Sequence, residues 1–340
     1  MLILTNFMRF PENWTASSGL SGQALMFQKA GDFLRHSRQA DLVIVNCDVD
    51  LILKLCVLYL LFPWLRRPIL GHDIVLRRPM TVRARFVTVF KRALLRRVDH
   101  FSLHFTNLEG YQRYWGIGPD RASYLPSKPN IRYRYEYKVG PEGEYVLCFG
   151  RSERDYDTFF RAMEQMPDLP GAIPPPDFEQ FQKHATRFSR SLDALPKNVR
   201  VLEDDGSVES LIHIVEKARL VILPIVSSRI APSGIGTYLN AMLMGKCVIT
   251  SHGVATTDVL THGEALLVDP EDPGALAAMI RRAWNDDALR LQTAETGRRY
   301  SESCGGEPEL RQRVLDRALE KLLPPGVANR SPAPAKSHAD

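Results

Sequence analysis

The sequence predicts an α/β chain of two doubly wound, Rossmann-like domains facing a cleft. Three observations carry that reading. Short apolar runs alternate with helical patterns through both halves of the chain, as parallel sheets covered on both faces require. A Pro-rich turn, Leu125-Pro-Ser-Lys-Pro-Asn130, and the polar stretch after it interrupt the alternation once. A glycine-rich turn, Ser233-Gly-Ile-Gly-Thr237, joins an apolar strand to a helix. Ligands of such sheets bind beyond the carboxyl ends of the strands, so the cleft is the expected site.

The elements follow in order. Residues 24–36 have helical spacing. Residues 41–46 read as a buried strand, 51–62 as a helix apolar on nearly all faces, and 68–71 as a strand with His72 and Asp73 at its carboxyl end. Residues 80–98 form a basic helix, 99–105 a strand, and 108–115 a short helix. The pattern restarts with a strand over 144–149 and a helix over 156–166. Residues 170–176 read as a loop, 199–202 as a strand and 208–218 as a helix. The strand 220–226 leads into the glycine-rich turn and its helix, which stops at Gly245, and the strand 247–250 follows. A strand at 265–268 and helices over 273–285, 287–300 and 307–323 complete the chain. The expected boundaries are 1–138 for the first domain, 139–306 for the second, 307–323 for a terminal helix and 324–340 for a disordered tail rich in Pro, Ala, Ser and charge.

Composition limits the function classes. At 340 residues the chain suits two domains, and 44% hydrophobic with 24% charged residues is ordinary for a globular protein. The five cysteines show no metal-ligand spacing and read as reduced thiols, so neither a disulfide set nor a metal site is expected. The N-terminus lacks a secretory pattern. The apolar run 51–62 is shorter than the roughly 20 residues a membrane span needs. The expected location is therefore cytoplasmic. The net charge of +5 fits anionic partners. It is unevenly spread: ten Lys/Arg and one acid, Asp73, lie between Arg66 and Arg97. With Trp64 and the apolar run beside it, residues 51–97 read either as a surface for an anionic membrane or as core plus solvated charge. Nucleic acid is not expected, because no recognised binding fold is present.

The turn at 233–237 carries the chemistry. Without bulky side chains its backbone N–H groups can approach an anion, and the following helix adds partial positive charge. Ser233 and Thr237 read as phosphate donors, as helix caps, or as both. His72 and Asp73 read either as catalytic residues at the cleft or as a turn-forming pair. In the first case His72 would orient a substrate and Asp73 accept a proton. His100 and His104 read as core histidines, and Asp48 as the cap of the apolar helix.

Three blocks carry a resemblance: Tyr145-Val-Leu-Cys-Phe-Gly-Arg-Ser-Glu-Arg154, the segment 218–249 around the glycine-rich turn, and Gly263-Glu-Ala-Leu-Leu-Val-Asp-Pro270 with the helix after it. In this order they resemble the donor domain of GT-B glycosyltransferases, in particular the retaining family 4. The resemblance implies a nucleotide-diphosphate sugar as co-substrate, no cofactor or metal, and transfer of the sugar with retention, while the basic and apolar surface of the first half leads to the expectation of a lipid-linked or glycan acceptor. It implies that Arg151, Arg154, Ser233, Gly234, Gly236 and Thr237 hold the diphosphate. The leaving phosphate would take the acceptor's proton. Gly19 and Gly22 match the family's acceptor loop. The family's two glutamates correspond to Pro232 and Asn240, so Asn240 would contact the donor as a neutral amide. Two alternatives stand beside a transferase: a catalytically silent sugar-nucleotide-binding or assembly protein, and a nucleotide-sugar epimerase of the same fold.

Overall fold

The structure, a computed structural model, describes residues 1–138, 143–227 and 230–324. It contains two compact units, Met1–Leu125 joined by the chain from Pro308 onward, and Pro126–Glu307. The expected tail lies outside the described residues beyond Pro324.

The first unit begins with β1 (Leu2–Thr5), β2 (Asn13–Thr15), β3 (Ser21–Met26), α1 (Ala30–His36), β4 (Leu42–Asn46) and α2 (Val49–Leu61). It continues with β5 (Ile69–His72), α3 (Val82–Leu95), β6 (His100–Leu103), α4 (Glu109–Trp115) and β7 (Ala122–Tyr124). The sheet order is β2-β3-β1-β4-β5-β6-β7, parallel except for β2. Residues 24–26 thus lie in a strand, not in the predicted helix. Their partner is β1, at Ile3↔Ala24 and Thr5↔Met26, a pairing that local periodicity does not report.

The second unit holds β8 (Tyr145–Cys148), α5 (Tyr156–Glu164), β9 (Gly171–Ile173), α6 (Phe178–Lys183), β10 (Val199–Val201), α7 (Val208–Glu216) and β11 (Ala218–Leu223). It then runs through α8 (Ile235–Leu243), β12 (Cys247–Ser251), β13 (Leu266–Val268), α9 (Pro273–Asn285) and α10 (Asp287–Ser303). Its sheet is wholly parallel in the order β10-β9-β8-β11-β12-β13. The expected loop at 170–176 contains β9, whose three buried residues are too few to show a period. Apolar clusters cover both faces of the sheet, one around Val146, Phe160 and Ile280, the other around Leu147, Tyr238 and Met242.

The boundary falls at Leu125/Pro126 rather than at 138/139. Ile131, 2% exposed, packs into the second unit's core, and the Asn130 N–H donates to Asn240 Oδ1 at 2.7 Å. The terminal helix α11 (Glu307–Leu322) returns to the first unit, where Leu310, Val314 and Leu319 pack with Ile3, Phe7 and Trp14.

Candidate functional site

Helix starts in this fold are mostly closed by a side chain. Asp48, Thr81, Asp155, Ser207, Asp272 and Asp286 each accept an N–H from the first turn of their helix. Helix α8 differs. Its N-cap is Gly234, at φ +84 and with no side-chain cap. Among the described residues, the N–H groups of Ile235, Gly236 and Thr237 therefore have neither an intrahelical nor a capping partner at the positive end of the helix dipole.

The sheet places this turn at a switch point. After β8 the chain moves outward through β9 and β10, then returns to add β11 on the other side. Ligands bind in the crevice at such a reversal, beyond the carboxyl ends of the two central strands. Those ends lead into Gly150–Arg154 and into the segment that closes with Ser233–Thr237. Backbone bonds stitch the two loops together: Asp155 N–H to Pro224 O at 2.8 Å and Val226 N–H to Glu153 O at 3.0 Å.

Arg154 lies beneath the turn and is 1% exposed. Its Nε donates to Phe149 O, its Nη1 to Ser152 O at 2.8 Å and Ser233 Oγ at 3.3 Å, and its Nη2 to Thr237 Oγ1 at 3.0 Å. Burial lowers its pKa from the ordinary arginine value; a guanidinium stays charged even so. The side chain expected to contact the diphosphate is thus almost wholly buried. Arg154 is a buried brace that holds a positive charge behind the turn. Arg151 is exposed. Gly150 makes the brace possible: at φ +121, an added Cβ would lie 2.5 Å from Arg154 Nε.

The two hydroxyls of the turn differ. Ser233 Oγ donates to Ser152 O at 2.7 Å, so its proton is engaged inside the protein. Thr237 Oγ1 accepts from Arg154 and keeps its own proton as a donor. Asn240 is 6% exposed, and its Oδ1 serves the Asn130 backbone. That contact engages the amide oxygen of the side chain expected to bind the donor. An added Cβ on Gly236 would lie 2.9 Å from Asn130 Nδ2.

In the first unit the switch point lies between β1 and β4. Asn6 Oδ1 accepts the Asn46 N–H at 2.6 Å, and Asn6 Nδ2 donates to Asn46 O at 3.0 Å. Cys47 Sγ donates to Asp73 Oδ2 at 3.3 Å. Cys47 and Asp73 both have positive φ, 53° and 47°, a conformation non-glycine residues adopt mainly where the surroundings enforce it. His72 is 1% exposed, stacks on Phe7 at 5.8 Å, meets His104 edge-on at 5.0 Å and shares a 2.8 Å hydrogen bond with Ser102 Oγ. Burial, then His104, push its pKa well below the usual histidine value. His72 is thus a neutral core residue, which corrects its reading as catalytic; Asp73 is half-buried at the sheet's carboxyl edge. Gly19 and Gly22 are also corrected. They belong to the β2–β3 hairpin beside Met1, at the amino edge of the sheet and away from Asp73.

The residues the sequence reading missed are Gly150, Asn130, Asn6, Asn46 and Cys47. Polar residues directly after apolar strands were the available signal for the last three. A concavity of about 540 Å³ lies elsewhere, between β10 and α7, and no expected site residue lines it. Among the described residues no group of three or more His, Cys, Asp and Glu side chains is placed to hold a metal ion.

Residues 145–286 match the family described as glycosyl transferases group 1. The matched residues all lie within the second unit. The match spans β8 to α9 and includes both loops of the switch point. No curated protein matches the chain. Solved structures of low identity share the fold. The Anabaena protein HepE in complex with UDP is 14% identical, covers 88% of this chain and 86% of its own, and has a TM-score of 0.64. Sucrose-phosphate synthase from Thermosynechococcus elongatus is 17% identical, covers 94% and 88%, and has a TM-score of 0.61. The α,α-trehalose 6-phosphate synthase of Burkholderia multivorans is 15% identical, covers 87% and 78%, and has a TM-score of 0.58. The chain therefore has the GT-B fold.

Proposed function

We propose that this protein transfers a sugar from a nucleoside-diphosphate donor to an acceptor hydroxyl, with retention at the anomeric carbon. One observation carries the reading: an uncapped, glycine-started helix at the switch point of the second unit, backed by the buried charge of Arg154. HepE was solved with UDP and with UDP-glucose, which supports the same donor class here.

In this reading the diphosphate sits on the N–H groups of residues 235–237, with the Thr237 hydroxyl and the Arg151 guanidinium as added donors. These groups, not a metal ion, neutralise it. As the bond from the anomeric carbon to the phosphate oxygen breaks, charge grows on the leaving diphosphate, and the fixed donors stabilise it. The acceptor oxygen forms the new bond to that carbon, and its proton passes to the departing phosphate oxygen. Asp73 positions the acceptor. A lipid-linked or glycan acceptor, used at the cytoplasmic face of a membrane, fits the exposed apolar surface of the first unit.

The alternative is a sugar-nucleotide-binding protein without transfer, favoured by Asn240 standing at a family carboxylate position and bonding Asn130. A thermal-shift screen against UDP-, GDP-, ADP- and dTDP-sugars tests the binding site. A true donor raises the midpoint by mass action, and Thr237→Val weakens the shift. No shift across the panel refutes the donor site. A shift without hydrolysis or transfer favours the alternative.

A further inference from the structure

Helix α3 is inside out relative to an ordinary surface helix. Its buried residues are Thr88 and Leu95. Its most apolar stripe faces solvent: Val82 is 83% exposed, Phe86 67%, Val89 65% and Phe90 59%. The spacing 82, 86, 89, 90, 93 places these residues and Ala93 on one side of a 3.6-residue helix. Arg83 and Arg85, both exposed, flank the stripe. Helix α2, which packs on α3, adds Leu60 and Leu61, and the turn after it adds Phe62 and Trp64, the last 68% exposed. Phe86 and Phe90 pair edge-on at 5.1 Å, as do Phe62 and Trp64 at 5.5 Å. Exposed aromatic pairs on α3 and just after the adjoining α2 mark a contact surface.

We propose that this flank docks on an anionic phospholipid bilayer. The inference goes beyond the transferase reading and does not rest on it. Charge selects the occupant. Ten Lys/Arg and the single acid Asp73 lie between Arg66 and Arg97. A second copy would set these arginines against their own like. Anionic headgroups complement them while the Val, Phe and Trp side chains enter the boundary between headgroups and acyl chains. No helix among the described residues is long and apolar enough to cross a membrane, so the helix lies on the bilayer. Only residues 74–81 separate α3 from Asp73, so docking brings the candidate acceptor region to the membrane surface.

The test is cosedimentation of the full chain with phosphatidylcholine vesicles, with and without phosphatidylglycerol, and sedimentation velocity without vesicles. Binding is expected only with the anionic lipid and weakens with salt. Phe86→Ser/Phe90→Ser and Arg83→Glu/Arg85→Glu each reduce it about tenfold or more, with unchanged melting because the replaced side chains are exposed. Brominated lipid should quench Trp64, since Trp14 and Trp115 are 2% and 6% exposed and the half-buried Trp284 belongs to the second unit, outside the docking flank, and Trp64→Phe should remove most of that quenching. Absence of anionic-vesicle binding, full binding by either double variant, or a wild-type dimer that both double variants dissolve overturns the proposal. The donor thermal shift is read in solution, so either reading can fail while the other stands.

Discussion

Arg154 Nη2 donates to Thr237 Oγ1 at 3.0 Å, across 83 residues of sequence. This contact joins the loop after β8 to the first turn of α8. It also leaves the threonine proton available as a donor at the positive end of the helix. The arginine works from behind the turn, so its stability role and its electrostatic role can be separated by experiment.

Replacing Arg154 with Met removes the donor to Phe149 O, Ser152 O, Ser233 Oγ and Thr237 Oγ1 at once. Urea unfolding should show a loss of about 3–5 kcal/mol. Arg154→Lys should recover only part of it, because an ammonium lacks the planar fork. A loss under about 1 kcal/mol would refute the brace.

Arg151→Ala should lower affinity for the identified donor about tenfold, as loss of a charge-assisted contact implies. Its melting midpoint should not move, because the side chain is exposed. Titration calorimetry and a melt on the same sample read both. Unchanged affinity removes Arg151 from the site.

Gly150→Ala should destabilise by about 2–4 kcal/mol, combining left-handed backbone strain with the clash against Arg154. Gly31→Ala is the control: nothing lies within 4 Å of the added Cβ, and helix propensity predicts a gain of about 0.5 kcal/mol. Equal effects at the two sites would contradict the packing described.

Stability should fall in mild acid. Burial, then Lys321 and Arg317, lower the His100 pKa to about 4, and burial lowers that of His72. Both rings stay neutral when folded but protonate when unfolded below about pH 6.5. Acid therefore favours the unfolded state as pH drops from about 6.5 toward 4, by at most about 1.4 kcal/mol per pH unit per histidine. His100→Gln should flatten part of that slope in urea titrations at stepped pH. An unchanged slope would place its titration elsewhere.

Asn240→Leu leaves the Asn130 N–H without its acceptor and should cost about 1–3 kcal/mol, whereas Asn240→Asp keeps an acceptor and most of the stability. Equal melting of the two variants would show that the 2.7 Å contact contributes little.

Elements with a strong local signal were legible. The apolar run of α2, the strand and turn before α8, and the stop at Gly245, φ +68, stand where the spacing puts them. Elements made by distant partners were not. β3 depends on pairing with β1, β9 on pairing with β8 and β10, and the unit boundary on Ile131 and Asn130 packing onto the second core.

Local sequence was enough for two α/β units and a glycine-rich turn opening into α8, because alternation, glycine placement and helix starts are properties of neighbouring residues. Tertiary structure alone decided how the chosen side chains are used. It sealed Arg154 and His72 from solvent, moved Gly22 to the opposite edge from Asp73, and turned the apolar stripe of α3 outward. Burial and facing depend on which segments meet across the sheet, and no local pattern of residue types specifies that meeting.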